Sequence, residues 1–361
     1  MYNWQLPTFP QFTYDTDRVE RWLSAFMERI DLHIAQFEKI LPEDQQHILL
    51  ATTVEEGVQS SSIEDEQIDR SALQSSLTEN IRFGPGQHHV ADIRADGVAR
   101  LMKAIISDAA TPLTETALRY YHELLFRGQP YLGTIGAYRS SSKPMRIVSG
   151  SANKIVVHYE APPSNRVPVL MQQFVASLTQ PLPAPLLAGI GHVHFESIHP
   201  FSDGNGRIGR ALLEKQLLPI MGGRPLISIS LAIRQRRDAY YAELQRAQRG
   251  LDLTDWLAYY FETLNQSVDL AGELLQFTLR KQAYFKQFGP QLDAAQTKAL
   301  RRMWSAGTGG FQGGMTTKKY VRINRVSTAT ASRDLSRLYT LGALRREGSG
   351  RSTRYVLPDP G

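Results

Sequence analysis

Between His199 and Arg210 the chain reads HPFSDGNGRIGR, and no other stretch restricts the fold as much. Pro200 disfavours a helical conformation in the residue before it, so the helical pattern of PLLAGIGHVHFESI must end there. Helical patterning resumes at Arg207. A helix, a short loop and a second helix therefore follow one another, with Gly204-Asn205-Gly206 at the second helix's N-terminus. Glycines let successive backbone N–H groups turn toward one point, and the helix dipole adds partial positive charge there, which makes an anion site. Arg207 and Arg210 lie three residues apart on nearly one face. Two guanidiniums above such a nest suit a chain of phosphates. Asp203 is out of place beside bare phosphate, but makes sense if a magnesium ion bridges carboxylate and phosphate. His199 stands at the rim, where it could take a proton from a hydroxyl during in-line attack on phosphorus. The bland alternative is a glycine turn with solvated arginines. Six functional residue types in twelve positions weigh against it.

The rest of the chain is patterned mainly for helix. Val19, Trp22, Leu23, Phe26 and Ile30 recur at spacings of three and four, which predicts an amphipathic helix over Asp17–Ile40. Pro42 follows its end. A second helix is expected from about Glu43 to Ile63, rich in Ser and Thr near its close. Two more are expected in DRSALQSSLTENIRF and ADGVARLMKAIISDA. Another runs over Leu113–Phe126, with Thr114 as N-cap. Lys143–Pro163 breaks the pattern. Its runs Arg146-Ile147-Val148 and Ile155-Val156-Val157 flank Ser-Gly-Ser-Ala-Asn, a β-hairpin signature. The expected architecture is all-α with this one small hairpin, ahead of a separate C-terminal module. The expected divisions are 1–95, 96–288 and 289–361.

The central stretch resembles the Fic family motif HxFx(D/E)GNGRxxR at every fixed position: His199, Phe201, Asp203, Gly204, Asn205, Gly206, Arg207 and Arg210. The resemblance extends to the 143–163 hairpin, similar to the family's flap, which docks a target segment by strand addition. It also reaches the N-terminal WQLPTFPQF, similar to a small helical domain that precedes Fic in one bacterial branch. It implies transfer of AMP from ATP to a Ser, Thr or Tyr hydroxyl of a target protein, with Mg2+ required. His199 would be the general base and Asp203 the magnesium ligand. The Gly204–Gly206 backbone and Asn205 would hold the α- and β-phosphates, and Arg207 and Arg210 the β- and γ-phosphates. Gln235 and Tyr241 fall where family members contact the nucleoside, and Ile147, Val148 and Ser149 where they dock the target.

SSSIED, from Ser60 to Asp65, resembles the family's inhibitory motif (S/T)xxxE(G/N) in Ser60 and Glu64; Asp65 departs from the usual Gly or Asn. A Glu64 carboxylate paired with Arg210 would occupy the guanidinium meant for the γ-phosphate. The alternatives are an ordinary exposed helix glutamate, or one that aligns a water for removal of AMP.

The tail TTKKYVRINRVSTATASRDLSRLYTLGALRREGSGRSTRYVL reads as a winged helix. Ser327 or Thr328 caps a helix carrying Arg333 and Arg337, and Arg345, Arg346, Arg351 and Arg354 flank a Gly-Ser-Gly tip. Such a module binds DNA or another protein. The chain has 361 residues, no cysteine and a net charge of +6, with a pI of about 9.4. The absence of cysteine fits a reducing compartment. No apolar run is long enough to span a bilayer, and MYNWQLPTFPQFTYD does not read as a secretory signal. A cytoplasmic location is therefore expected, and the family resemblance suggests a homodimer. His33, His47 and His122 have no partners at metal spacing. His192 and His194 read as helix packing or pocket lining, so no transition metal is assigned.

Overall fold

The computed structural model describes residues 1–83, 92–129, 134–151, 154–307 and 310–358; the side chains at 80–83, 149–151, 154–156 and 351 lie outside this description. The chain divides into two compact units, Met1–Ala271 and Gly272–Gly361. The first is helical, as its patterning predicts. In chain order its helices are α1 (Thr16–Phe37), α2 (Pro42–Ile63), α3 (Arg70–Phe83), α4 (Ile93–Ser107), α5 (Glu115–Phe126), α6 (Val167–Ser177), α7 (Ala184–Ile198), α8 (Asn205–Leu217), α9 (Ile229–Gln235) and α10 (Arg237–Ala247). The long α11 (Thr254–Phe288) follows.

Caps fix several of the starts. Asp15 accepts from the Arg18 N–H to open α1, and Thr114 accepts from Ala117 N–H at 3.1 Å to open α5, each satisfying a donor that the first helical turn leaves free. Pro42 follows the end of α1 as expected and also opens α2, where its missing N–H costs nothing. The Ser and Thr content of α2 has a packing reason. Its second half is enclosed by α3, α8 and α9, and Thr52, Thr53, Ser60, Ser61 and Ser62 are all buried. Small side chains let the neighbouring helices approach. Gly57 carries this furthest, since a Cβ there would meet Val98 and Leu73.

The hairpin forms where expected, from β1 (Arg146–Ser151) and β2 (Lys154–Glu160), paired antiparallel. Ala152 and Asn153 of its turn lie outside the described residues. The register shifts between Ile147 and Val148, a bulge that bends the base of the hairpin. That base is anchored: Tyr159 is buried and its hydroxyl donates to Ser197 O at 2.6 Å. The N-terminal segment braces the same place. Trp4 Nε1 donates to Glu160 O at 2.8 Å, and Asn3 Nδ2 donates to Ser197 Oγ at 2.8 Å.

The second unit contains α12 (Ala294–Trp304), α13 (Thr317–Asn324), α14 (Thr328–Thr340), β3 (Arg345–Glu347) and β4 (Arg354–Val356). Ser327 caps α14, accepting from Thr330 N–H. The strands β3 and β4 pair antiparallel, and Met315 bridges to Tyr355 beside them. Leu300, Met303, Met315, Tyr320, Leu335, Leu338 and Leu344 fill the core.

One buried histidine makes the first unit sensitive to acid. His194 on α7 is enclosed by the edges of Phe9, Phe12 and Phe174. Burial pushes its pKa down from 6.5 to about 3. The folded state therefore binds fewer protons than the unfolded state below pH 6.5, so stability is complete above that pH and declines as the pH falls toward 3. Between pH 7.5 and 5 the loss from this group is on the order of 2 kcal/mol. Urea unfolding of wild type and His194→Leu at both pH values should show the variant losing less stability than wild type by that amount, the remainder coming from other buried histidines such as His122.

Candidate functional site

The loop between α7 and α8 is held from inside. His199 takes φ = +51° directly after α7, with its N–H on Phe195 O, which satisfies Pro200 and ends the helix. The Asn205 amide closes the loop at both ends: Oδ1 accepts from Phe201 N–H at 2.9 Å and Nδ2 donates to Phe201 O at 2.8 Å. Gly204 has φ = +77°, and a Cβ there would lie 2.5 Å from the Phe126 ring. The α8 N-terminus is thus presented as an anion nest, and the Asn205 side chain shapes it through backbone contacts.

A carboxylate lies against the first turn of α8. Glu64, at the C-terminus of α2, has its Oε1 2.0 Å from where a Cβ on Gly206 would be and 2.8 Å from Arg210 Nη1. Arg210 is fully buried. Its Nε donates to Ser60 Oγ at 3.0 Å and its Nη2 to Ser60 O at 2.7 Å. Burial works against its charge, but the Glu64 carboxylate outweighs this and holds the guanidinium above its ordinary pKa. Ser60, Glu64 and Arg210, which sequence reasoning singled out, therefore meet at one point.

Three further residues, Glu66, Arg234 and Arg237, clamp the same turn, and sequence reasoning did not find them. Arg207 Nη1 donates to Glu66 Oε2 while its guanidinium lies over the Phe126 ring. Asp65 adopts φ = +59°, pairs outward with Arg237 at 2.7 Å and has its pKa lowered by that hydrogen bond. Arg234 Nε donates to Ser62 Oγ, and Tyr241 OH donates to Ile63 O at 3.2 Å. The left-handed backbone at Asp65 explains why Gly or Asn is the usual residue there, since both adopt it at low cost. It also turns Glu64 and Glu66 to one side and Asp65 to the other. The acid-rich run IEDE was the available signal.

Two buried groups support His199 and Asp203. Arg139 Nε donates to His199 O at 2.8 Å, and its Nη2 reaches Pro162 O at 2.6 Å and Ile198 O at 3.2 Å. It thereby joins the exit of the hairpin to the end of α7. His122 accepts from Gly136 N–H on Nδ1, so its Nε2 carries the proton toward Asp203 O at 3.3 Å. Its ring stacks on Phe201 at 4.1 Å. Burial lowers its pKa to about 4. Its only sequence feature is a helical position 77 residues from the motif histidine, which pattern cannot connect to the site. His192 is packing, as expected: it is stacked on Trp256 and bonded to Tyr240 OH at 2.8 Å.

Other expected residues lie further out. Gln235 is exposed and accepts from Gln266 on α11. Ile147 is half-buried on the hairpin and Val148 is 49% exposed, with its face open; Ser149 is described through its backbone alone. Asp203 is half exposed beside the nest, with Oδ1 accepting from Gly204 N–H and 3.6 Å from Arg207. Among the described residues no group of three or more His, Cys, Asp or Glu could hold a metal. One carboxylate at the edge of a phosphate nest fits magnesium, which completes its shell with phosphate and water.

Comparison with known proteins agrees with this geometry. Residues 112–217 match the model of the Fic/DOC family, and residues 2–83 match a domain of unknown function, DUF4172. The protein adenylyltransferase Fic of Drosophila willistoni is 31% identical over 123 residues, covering 33% of this chain and 24% of that protein. Its counterpart in Aedes aegypti is 35% identical over 83 residues, covering 23% and 15%. The chain thus spans a quarter or less of these curated relatives. A Fic family protein from Desulfovibrio desulfuricans shares the fold over 98% of this chain and 99% of its own, with a TM-score of 0.56 and 22% identity. A Fic-domain signaling protein from Bacteroides thetaiotaomicron covers 70% of this chain and 98% of its own, at 0.50 and 21%. The chain is a Fic domain protein. No helix among the described residues is long and apolar enough to cross a membrane.

Arg139 should be a main determinant of the site's rigidity. Arg139→Met would leave three buried carbonyls unpaired, each costing about 1–3 kcal/mol before relaxation. A loss of about 3 kcal/mol is expected in denaturant unfolding. Arg139→Lys should recover only part of it, because a single ammonium cannot reproduce the planar fork.

Proposed function

We propose that the first unit transfers AMP from ATP to a hydroxyl side chain of a target protein and is held inactive by α2. The observation that carries this reading is the Glu64 carboxylate beside Gly206 at the start of α8, bonded to Arg210. A guanidinium already paired with the protein's own acid is what an autoinhibited nucleotide site requires. In the active arrangement the Gly204–Gly206 N–H groups and Arg207 and Arg210 take the phosphates. His199 accepts the hydroxyl proton. Asp203 holds Mg2+, which supplies charge neutralisation at the phosphates. Tyr241 and Gln235 face the nucleoside, and the backbone edge of β1 at Ile147, Val148 and Ser149 receives the target strand.

Glu66 extends the brake. With Arg207 on Glu66 and Arg210 on Glu64, both phosphate-binding guanidiniums are engaged. Removing one acid frees one of them. Incubation with Mg2+ and ATP labelled at the α-phosphate should therefore label wild type weakly and Glu64→Gly strongly. Misplacement by about an ångström costs on the order of a hundredfold, which sets the expected gain. Glu64→Gly/Glu66→Gln should exceed Glu64→Gly, and Glu64→Gly/His199→Ala should lose the label. Equal labelling of wild type and Glu64→Gly would remove the brake from this reading. If wild type strips label from pre-labelled protein and Glu64→Gly does not, the assignment becomes AMP removal.

A second reading applies to the second unit and rests on charge. Gly272–Gly361 holds 16 Lys and Arg against 5 Asp and Glu, a formal +11, so the rest of the chain is −5. Exposed Arg333 and Arg337 on α14 and Arg345, Arg346 and Arg354 on the β3–β4 hairpin belong to this excess. We infer a winged-helix module that binds duplex DNA. Mobility-shift affinity should fall with salt, and Arg333→Ala/Arg337→Ala should reduce the log–log slope by about 2 if both meet phosphate. A slope unchanged by both substitutions would sink the reading.

A further inference from the structure

We propose that Glu196 is a positioning residue for His199: its carboxylate keeps the imidazole proton on Nδ1, leaves Nε2 free to accept the target's proton, and stabilises the imidazolium that forms. The inference rests on the reading of His199 as general base.

Four observations converge on it. Glu196 Oε2 lies 3.6 Å from His199 Nδ1, with side chains only 5% and 12% exposed. His199 is the left-handed residue that ends α7, three positions after Glu196, so the two side chains meet across the helix end. Neither group has another use: His199 Nδ1 and Glu196 Oε1 are both buried without a hydrogen-bond partner. Finally, α8 makes room for the acid. A Cβ on Gly209 would overlap Glu196 Oε1, so the second glycine of GRIGR is where the carboxylate enters the α7–α8 crossing.

Packing alone does not account for this acid. A buried carboxylate with an unpaired oxygen costs several kcal/mol, whereas an apolar residue of similar volume would cost none of it. The carboxylate is also charged. Burial alone would push its pKa up, but His199, His192 and Arg210 together bring it below the ordinary carboxylate value. The groups that face it are His192 and His199 from its own helix and turn, Arg210 from α8, Tyr240 from α10 and Tyr159 from β2. Only the His199 ring presents a nitrogen lacking a partner. The separation of 3.6 Å is long for a hydrogen bond. Catalytic contacts are commonly long in unliganded sites and tighten with substrate bound.

In the reaction the target hydroxyl oxygen bonds to the α-phosphorus, and the bond from that phosphorus to the bridging oxygen of pyrophosphate breaks. Pyrophosphate leaves, and the hydroxyl proton passes to His199 Nε2. The positive charge then on the ring faces Glu196. An acid–imidazole–nucleophile relay works in this way on unrelated folds.

The test uses Glu196→Gln and Gly209→Ala, each in the Glu64→Gly protein, with unfolding curves to confirm the fold. For Glu196→Gln, kcat for label transfer should fall about 10²–10³-fold, with KM for ATP within twofold and the acid limb of the kcat–pH profile moved to lower pH. Gly209→Ala, which displaces the carboxylate without removing it, should lower kcat by a smaller factor. Independently of activity, 15N NMR of the His199 ring should show the Nδ1–H tautomer in the parent and a mixture in Glu196→Gln. A kcat within threefold of the parent overturns the proposal, and so does an unchanged tautomer. If the Glu64→Gly parent transfers no AMP, the adenylyltransfer reading fails, and the tautomer measurement alone then decides the role of Glu196.

Discussion

The site is organised around one buried cation. Arg210 gives three donors to Ser60 and Glu64 and has almost no solvent exposure. A guanidinium in that position must be paired, because leaving it without a partner would cost several kcal/mol. Everything near it follows from that requirement. The end of α2 supplies a side-chain hydroxyl, a backbone carbonyl and a carboxylate at spacings that fit the planar fork. Gly206 leaves the space through which the carboxylate arrives. On the proposed function a phosphate chain would meet the same cation from the same side, and the protein's acid and a nucleotide would compete for one place.

The turn after α2 distributes charge by backbone geometry. Consecutive acids would ordinarily repel one another and spread into solvent. Here the left-handed residue Asp65 sends its side chain outward to Arg237 and sets its two neighbours inward, toward Arg210 and Arg207. Three acids in a row thus meet three different arginines from α8 and α10. A single-residue change of backbone conformation at this turn would move both inward acids together. On the proposal that they form the brake, this coupling makes release a concerted event.

Much of this was legible in the sequence, for reasons that differ by residue. The motif loop was readable because Pro200, Gly204 and Asn205 act locally: each fixes the backbone within four residues of itself. Thr114 and Ser327 were readable as caps on the same grounds. The pairing of Glu64 with Arg210 spans 146 residues, and only the family resemblance connected them. His122, Arg139 and Glu66 were not readable. Each acts through backbone carbonyls or a distant side chain brought near by helix packing, and neither kind of partner leaves a periodic trace. Pro42 was read as following α1, which it does, but not as opening α2, because a proline after an apolar run signals a stop and a proline at the first helical position a start. Only the run that followed could separate these.

The energy that holds α2 against the site does not come from Glu64 alone. That side chain is about one-third exposed, so water screens part of its attraction to the buried Arg210. More of the docking comes from about two turns earlier. Glu56 accepts from Ser228 Oγ at 2.8 Å, Ser230 N–H at 2.9 Å and Ser230 Oγ. Gly57 lets Val98 and Leu73 close over the helix. Glu214, buried on α8, has no hydrogen-bond partner among the described residues. Burial pushes both Glu56 and Glu214 up from the ordinary carboxylate range. The consequence is a division of labour along one helix. The middle of α2 fixes its position through buried contacts, while Glu64, just past its last turn, is reachable from solvent. On the proposed function, a competing polyphosphate would need to displace only that end, leaving the helix docked and the loop clamped by Asn205 unchanged.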